Sequence, residues 1–158
     1  MLYAMCGNSR KGFPHGKSAL LISDDYGDTF TEKSVPFCCN GNAPARSSAE
    51  RLAHKNGKLF FGSQGEGLWQ SSDNGESWEK LDFCEENIVF VHFPYNTDIM
   101  LVSCTGETTA NGNSRGHTLY ASYDFGKSFE MLDIPAPLDD DRCSHNGFVP
   151  YSIASDEN

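Results

Sequence analysis

The 158-residue sequence predicts an all-β protein made of about three four-stranded antiparallel units. The first observation is a five-position pattern, S-x-D-x-G-x-[ST]-[FW], that occurs three times. The second is its spacing, because the three copies begin 48 and 51 residues apart, at Ser23, Ser71 and Ser122. The third is that short runs of strand-forming residues flank every copy, whereas no stretch has the 3.6-residue period of an amphipathic helix.

Each copy of the pattern has the composition of a tight turn between two strands. The aspartate can accept hydrogen bonds from the amides that follow it, the glycine permits a positive φ, and the hydroxyl residues bond locally. The closing aromatic residue begins the next strand and is expected to point into the core. A structural role is favoured over catalysis or calcium binding, because turn chemistry accounts for every position. The turn residues are Ser23, Asp25, Gly27, Phe30, Ser71, Asp73, Gly75, Trp78, Ser122, Asp124, Gly126 and Phe129.

Apolar runs predict the strands of each unit. Two runs precede each turn, an alternating run follows it, and one further run opens the second and third units. Four strands every ~50 residues are typical of a β-propeller blade, and propellers close with about 4–8 blades. The sequence therefore predicts a fragment of a larger propeller. Its blade pieces are 1–37, 50–83 and 88–134, with the first strand of a further blade at 148–155.

The charge of the chain excludes two classes of partner. With 12 Lys and Arg against 22 Asp and Glu, the net charge is −10. Phosphate backbones and anionic lipid surfaces attract clustered cations, so neither a nucleic acid nor a membrane is predicted as a partner. No apolar run approaches the ~20 residues of a membrane-spanning helix, and no signal peptide is visible. Localisation stays open, since a longer parent protein can be secreted.

The cysteine and histidine patterns predict neither a metal site nor a cofactor. The six cysteines contain no C-x-x-C motif, and free thiols are favoured over disulfides. The five histidines are scattered without the spacing of metal ligands.

The repeated turns resemble Asp-boxes, also called BNR repeats, of sialidases and related propellers. A longer stretch resembles the N-terminal propeller of family 74 glycoside hydrolases, which are xyloglucanases and endo-β-1,4-glucanases. The motifs that carry this resemblance are N-G-N-A-P-A-R at 40–46, E-R-L-A at 50–53, L-F-F-G at 59–62 and G-L-W-Q-S-S-D at 67–73. The departures are Ala45 and Ala49 in place of glycine, and His54-Lys55 in place of Asp-Pro.

This resemblance implies a substrate, protein partners and the absence of catalytic residues. The polysaccharide would be a β-1,4-glucan or xyloglucan, and the protein partners would be the remaining blades or a second propeller of the parent. The family has a catalytic aspartate early in each propeller, at positions without a counterpart in this chain. No catalytic residue is therefore assigned, and the chain alone is expected to be inactive although its parent is a glycosidase.

The resemblance also places the binding loops. Asp-box turns lie away from the active site, so the loops at the opposite ends of the strands are expected to contact substrate. Glu50 has two equal interpretations, a substrate contact or an ion pair with Arg51, and for Trp69 packing is favoured over a sugar platform. The predicted substrate-binding residues are Asn40, Asn42, Arg46, Glu50, Gln64, Glu66, Arg115 and His145.

The predicted function is thus part of a β-glucan or xyloglucan cleft of a glycoside hydrolase. The alternative is a non-catalytic Asp-box propeller that binds proteins, as in sorting receptors or assembly factors. A sialidase is the least favoured, because its arginine triad and R-I-P motif are not found. An arc of about three blades would expose sheet faces and edges, so we expect it to be unstable, oligomeric or completed by a partner.

Overall fold

The computed structural model describes residues 1–7, 18–39, 50–63, 65–83, 87–105, 117–133 and 153–156. Within these ranges there is no helix, and hence none long and apolar enough to cross a membrane. The strands are β1 (Leu2–Cys6), β2 (Ala19–Ser23), β3 (Thr31–Ser34), β4 (Leu52–Lys55), β5 (Lys58–Gly62), β6 (Leu68–Ser71), β7 (Glu79–Lys80), β8 (Ile88–His92), β9 (Met100–Thr105), β10 (His117–Ser122) and β11 (Glu130–Leu132).

The strands form three antiparallel sheets in chain order. The first sheet is β1-β2-β3, the second is β4-β5-β6-β7 and the third is β8-β9-β10-β11. Every hydrogen-bonded pair consists of strands that are consecutive in the sequence. The three sheets also share one register. The serine that opens each turn pattern ends one strand and pairs with an apolar residue near the start of the preceding strand: Ser23 with Leu2, Ser71 with Leu59 and Ser122 with Met100.

Antiparallel pairing gives the sheets two distinct ends. The three turn patterns, 23–30, 71–78 and 122–129, join the last two strands of each sheet, and we call this the box end. The connections β1–β2, β3–β4, β5–β6, β7–β8 and β9–β10 lie at the opposite end of the sheets, which we call the loop end. Of the predicted substrate-binding residues, the two that the structure describes, Glu50 and Glu66, lie in connections of the loop end.

Two apolar clusters hold the sheets face to face. The cluster between the first and second sheets contains Phe37 and Phe61, whose rings stack 4.9 Å apart. The cluster between the second and third sheets includes Phe60, Phe83 and Met100. Phe60 and Met100 are fully buried, and burying a side chain of this size stabilises the fold by roughly 1.5–3 kcal/mol.

The closing aromatics of the turns differ in burial. Trp78 packs edge-on against Phe37, and the ring of Phe129 lies 4.4 Å from that of Phe83. In both cases the partner follows the last strand of the preceding sheet. Phe30 is 49% exposed, so the expectation that it points into the core was wrong. The reason is that no sheet precedes the first one within the described residues.

The segment expected to open a further blade is only partly described. Residues 153–156 are not in a strand, and Ser155 Oγ accepts a hydrogen bond of 2.7 Å from the backbone N–H of Tyr95. Residues 148–152 lie outside the described residues, so the strand at 148–155 stays a prediction. Of the described cysteines, Cys6, Cys38 and Cys39 are free thiols.

Candidate functional site

The box turns form closed hydrogen-bond networks. In the second turn, the Asp73 carboxylate accepts from Ser77 N at 2.9 Å, from Ser77 Oγ at 2.5 Å and from Ser71 Oγ at 2.8 Å. The Ser71 hydroxyl in turn accepts from Gly75 N at 2.8 Å. The same set of bonds recurs around Asp25 in the first turn and Asp124 in the third.

These hydrogen bonds stabilise the ionised form of each aspartate. The bonds from the Ser77 side chain and backbone lower the pKa of Asp73 to about 2, and those from Ser128 lower the pKa of Asp124 to about 2. The pKa of Asp25 is lowered for the same reason by Thr29. Each carboxylate is therefore charged at neutral pH and occupied by donors of its own turn. The described residues contain no cluster of three or more His, Cys, Asp or Glu side chains that could hold a metal ion.

The loop end is held together by a different network, which links the first and second sheets. The Glu66 carboxylate accepts from the backbone N–H of Cys38 at 2.9 Å, and Ser63 Oγ donates to Cys38 O at 3.1 Å. The backbone N–H of Cys39 donates to Ser18 Oγ at 2.7 Å. We call Ser18, Cys38, Cys39, Ser63 and Glu66 the loop-end network. It fixes the chain that leaves the first sheet against the β5–β6 connection of the second.

Glu66 connects this network to an aromatic side chain. Its backbone carbonyl accepts from Trp69 Nε1 at 3.1 Å, and the Trp69 ring lies 5.2 Å from that of Phe37. Trp69 is thus packed into the cluster between the first two sheets, with part of its surface exposed. The other oxygen of the Glu66 carboxylate takes no part in the bond to Cys38.

Arg51 is a cationic residue beside the loop-end network. Its guanidinium carbon lies 5.5 Å from the centre of the Phe61 ring. Burial lowers the pKa of Arg51, and the neighbouring thiols of Cys39 and Cys38 oppose that shift. Burial also raises the pKa of Cys39 to about 11, so this thiol is protonated at neutral pH and is a poor nucleophile.

Glu50 lies between the second and third sheets. Its backbone carbonyl accepts from Val91 N at 2.9 Å, and its carboxylate is 4.0 Å from His92 Nδ1. No ion pair joins Glu50 to Arg51 in the described part of the chain. The Glu50 side chain is 83% exposed, whereas His92 is largely buried and its Nε2 has no hydrogen-bond partner among the described residues. Glu50 therefore presents a carboxylate that solvent or a ligand can reach.

The predicted substrate-binding residues are described only in part. Both described residues lie at the loop end: Glu50 contacts the third sheet at Val91 and His92, and Glu66 contacts Cys38, which follows the first sheet. The other predicted residues lie outside the described residues: Asn40, Asn42, Arg46, Gln64, Arg115 and His145. Arg51 and Ser63 were not predicted as site residues. The E-R-L-A motif points to Arg51, but no sequence signal pairs Ser63 with Cys38.

Comparison with known proteins adds evidence on the family. No family model matches the chain. A xyloglucanase of Paenibacillus sp is 36% identical over 106 residues, which make up 63% of this chain and 10% of that protein. A GH74 enzyme structure from Niastella koreensis superposes with a TM-score of 0.64 at 30% identity, over 83% of this chain and 20% of that one. The resemblance to family 74 glycoside hydrolases is confirmed. The predicted all-β class, with about three antiparallel blades of a propeller, is confirmed with it.

The chain is also similar to sorting proteins. The vacuolar protein sorting/targeting protein 10 of Sordaria macrospora is 30% identical over 90 residues, which cover 57% of this chain and 5% of that protein. This match has lower identity and a smaller share of the chain than the Paenibacillus match. The family 74 resemblance is accordingly the stronger of the two.

Proposed function

We propose that the chain forms part of the polysaccharide-binding cleft of a family 74-type glycoside hydrolase, with xyloglucan or a related β-1,4-glucan as its ligand. The observation that carries this proposal is the 36% identity to a xyloglucanase over 106 residues. The chain spans 10% of that relative, so the proposal concerns a contribution to a cleft and not a complete active site.

The loop end supplies the chemistry that a glucan requires. Sugar hydroxyls are recognised by side chains that accept and donate hydrogen bonds, and functional loops are best placed on a rigid scaffold. Glu50 offers an exposed carboxylate, and Glu66 offers a carboxylate that the Cys38 N–H holds in place. We assign substrate contacts to both, together with the loop residues Asn40, Asn42, Arg46, Gln64, Arg115 and His145.

We assign no catalytic residue, and we expect binding without hydrolysis from this chain. Glycosidases use two carboxyl groups at a defined separation across the scissile bond. The Glu50 carboxylate lies near His92 of the third sheet, whereas the Glu66 carboxylate lies against Cys38, which follows the first sheet, and is engaged by its backbone amide. The remaining blades or second propeller of a parent protein would supply the reacting groups.

Affinity electrophoresis tests the proposal directly. The 158-residue chain should be retarded in gels that contain xyloglucan or mixed-linkage β-glucan, and should migrate normally in gels that contain an α-glucan such as dextran. Glu50→Gln should reduce the retardation, because it removes an exposed charge at the loop end. The matched control is Asp98→Asn, an exposed carboxylate at the box end, which should bind like the wild type.

Two results would contradict the proposal. One is normal migration of a chain whose circular dichroism shows a folded β protein. The other is equal loss of retardation in Glu50→Gln and Asp98→Asn. Release of reducing sugar from xyloglucan by the purified chain would contradict the expected lack of hydrolysis, but not the binding.

The alternative is a protein-binding propeller, which the match to a sorting protein favours. It predicts that the loop end binds peptides and no polysaccharide. The test adds a large excess of unrelated peptide to the β-glucan gel. If the chain is still retarded, the protein-binding alternative is excluded.

A further inference from the structure

Two turns of the second sheet contain the dipeptide Asn-Gly with both residues in the left-handed region. Asn56-Gly57 joins β4 to β5, with φ of 49° and 75°. Asn74-Gly75 lies between β6 and β7, with φ of 56° and 83°. The other Asn-Gly dipeptides of the chain, at 40–41, 111–112 and 146–147, lie outside the described residues. The second sheet packs against both of the other sheets, so each of its turns can be compared in its packed surroundings.

An Asn-Gly sequence is chemically labile, because glycine has no side chain to shield its backbone nitrogen. That nitrogen loses its proton and forms a bond to Cγ of the asparagine, while the bond from Cγ to Nδ2 breaks and ammonia leaves. Water then opens the resulting succinimide ring at either carbonyl, which gives aspartate or isoaspartate. The reaction needs a glycine N–H without a hydrogen bond and a backbone that can rotate to bring the nitrogen to Cγ.

The Asn74-Gly75 turn meets neither requirement. The buried Gly75 donates its N–H to Ser71 Oγ at 2.8 Å, and a Cβ placed on it would lie 2.2 Å from a leucine side chain of the first sheet. Asn74 Oδ1 accepts a hydrogen bond from the Tyr3 hydroxyl at 3.1 Å, and its backbone carbonyl accepts from Lys33 Nζ at 3.2 Å. The attacking nitrogen is therefore occupied, and the peptide that would have to rotate is held on both sides.

The Asn56-Gly57 turn meets both requirements. Both residues are exposed, and no atom of the described residues lies within 4 Å of a Cβ placed on Gly57. Within the described ranges the Gly57 N–H has no hydrogen-bond partner. The Asn56 side chain donates from Nδ2 to Asp98 Oδ1 at 3.1 Å. That bond engages the nitrogen that leaves and does not cover Cγ, so the carbon remains open to attack.

We propose that Asn56 is a site of spontaneous deamidation in the folded protein, and that this modification places a new carboxylate in the contact between the second and third sheets. Asp98 belongs to the β8–β9 connection of the third sheet, and Lys55 Nζ lies 3.9 Å from the same Oδ1 that Asn56 contacts. In the unmodified chain a neutral amide donates to Asp98. After deamidation two carboxylates share one lysine, and like charges at this separation repel.

The isoaspartate product has a further effect on the hairpin of β4 and β5. Asn56 and Gly57 alone connect these strands, and the flanking residues Lys55 and Lys58 pair with each other. The twist of such a short loop has to match the twist of its strands. Isoaspartate lengthens the main chain by a methylene group, so the loop no longer fits this register. We expect the pairing next to the turn to be weaker with isoaspartate than with aspartate.

Incubation of the folded chain in mildly alkaline water enriched in oxygen-18, followed by peptide mapping, tests the proposal. The peptide with Asn56 should take up the heavy oxygen faster than the peptide with Asn74, by about tenfold or more. The matched control is the same chain unfolded in urea, in which both peptides should be labelled at similar rates because both asparagines precede glycine. Hydroxylamine, which cleaves succinimides, should cut the folded chain after Asn56 and leave the bond after Asn74 intact. Equal labelling in the folded chain, or labelling of Asn56 only after unfolding, would overturn the proposal.

A substitution that mimics the aspartate product tests the effect on the contact between the sheets. Asn56→Asp should lower the melting temperature by about 2–4 °C. High salt should reduce this deficit, because it screens the repulsion from Asp98. Asp98→Asn in the same chain should recover most of the loss. Asn56→Gly is the matched control: it fits the positive φ and loses the hydrogen bond without adding charge, so its deficit should not depend on salt. A melting temperature of Asn56→Asp equal to that of the wild type, or a deficit that neither salt nor Asp98→Asn changes, would contradict the repulsion.

Discussion

The box end and the loop end of these sheets are stabilised in different ways. At the box end, each aspartate bonds to a serine two residues before it and to a residue four after it, so the turn is closed by its own sequence. At the loop end, the bond between Glu66 and Cys38 joins residues 28 positions apart in the chain. A local network repeats wherever its sequence repeats, whereas a long-range network is specific to one place. This difference explains why the box end is uniform and the loop end can carry a site.

The largest expected effect comes from filling the space at the box end. Gly75→Ala should destabilise the fold by roughly 3 kcal/mol or more, because its Cβ would overlap Leu20 and its φ is +83°. Gly57→Ala is the matched control, since φ there is +75° and no atom of the described residues lies within 4 Å of the added Cβ. It should cost only about 1 kcal/mol. Thermal unfolding of both variants measures the difference, and equal melting temperatures would contradict the contact.

The loop end should be sensitive to loss of one acceptor. Glu66→Ala leaves the Cys38 N–H without its partner and should cost about 1–3 kcal/mol. Glu66→Gln keeps an acceptor oxygen in place and should retain most of that stability. Urea unfolding of the two variants provides the comparison. If both are as stable as the wild type, the bond does not hold the two sheets together.

Acid should weaken the box end within a defined pH window. The pKa values of Asp73 and Asp124 in the fold are about 2, below the ordinary 3.8 of an aspartate. Their contribution to stability is therefore complete above the ordinary value and is lost as the pH falls towards 2. The double variant with Asp73→Asn and Asp124→Asn should show a flatter decline in melting temperature across this window. Asp24→Asn, a neighbouring carboxyl outside the turn's hydrogen bonds, should decline like the wild type.

The smallest effect should come from the ion pair across the box end. Lys33 Nζ lies 2.6 Å from Glu76 Oε1, but the Glu76 side chain is 68% exposed. Pairs of this kind contribute about 0–1 kcal/mol, so a double-mutant cycle with Lys33→Met and Glu76→Gln should give a coupling energy in that range. The coupling should shrink further in high salt. A coupling of several kcal/mol would show that the pair is far less hydrated than its exposure indicates.

The repeated turns allowed the all-β fold and its three units to be predicted from the sequence. The spacing of Ser23, Ser71 and Ser122 predicted three units, and the apolar runs around them predicted a strand on each side of every turn, as the structure shows. Turn formation depends on residues a few positions apart, and such short-range chemistry is visible in a single sequence. Phe30 shows the limit of this reasoning. Its burial depends on a neighbouring sheet, and the pattern around it is the same as around Trp78 and Phe129.

The candidate site was less predictable for the same reason. Glu66 was expected at the loop end from the resemblance, but its bond to Cys38 and the place of Ser63 in the same network depend on how two sheets approach each other. Glu50 lies beside Arg51 in sequence, but the structure places its carboxylate 4.0 Å from Nδ1 of His92 in the next sheet. Long-range partners of this kind have no spacing rule that a sequence can reveal.

The pairing of only consecutive strands has a consequence for how the chain acquires its structure. Each hairpin closes a short stretch of chain, so little loop entropy is lost before its hydrogen bonds and side-chain contacts form. Each sheet then meets only its neighbours, and order can spread in either direction from whichever sheet forms first. The second sheet contacts both others, which makes it the most protected of the three against transient opening and hydrogen exchange.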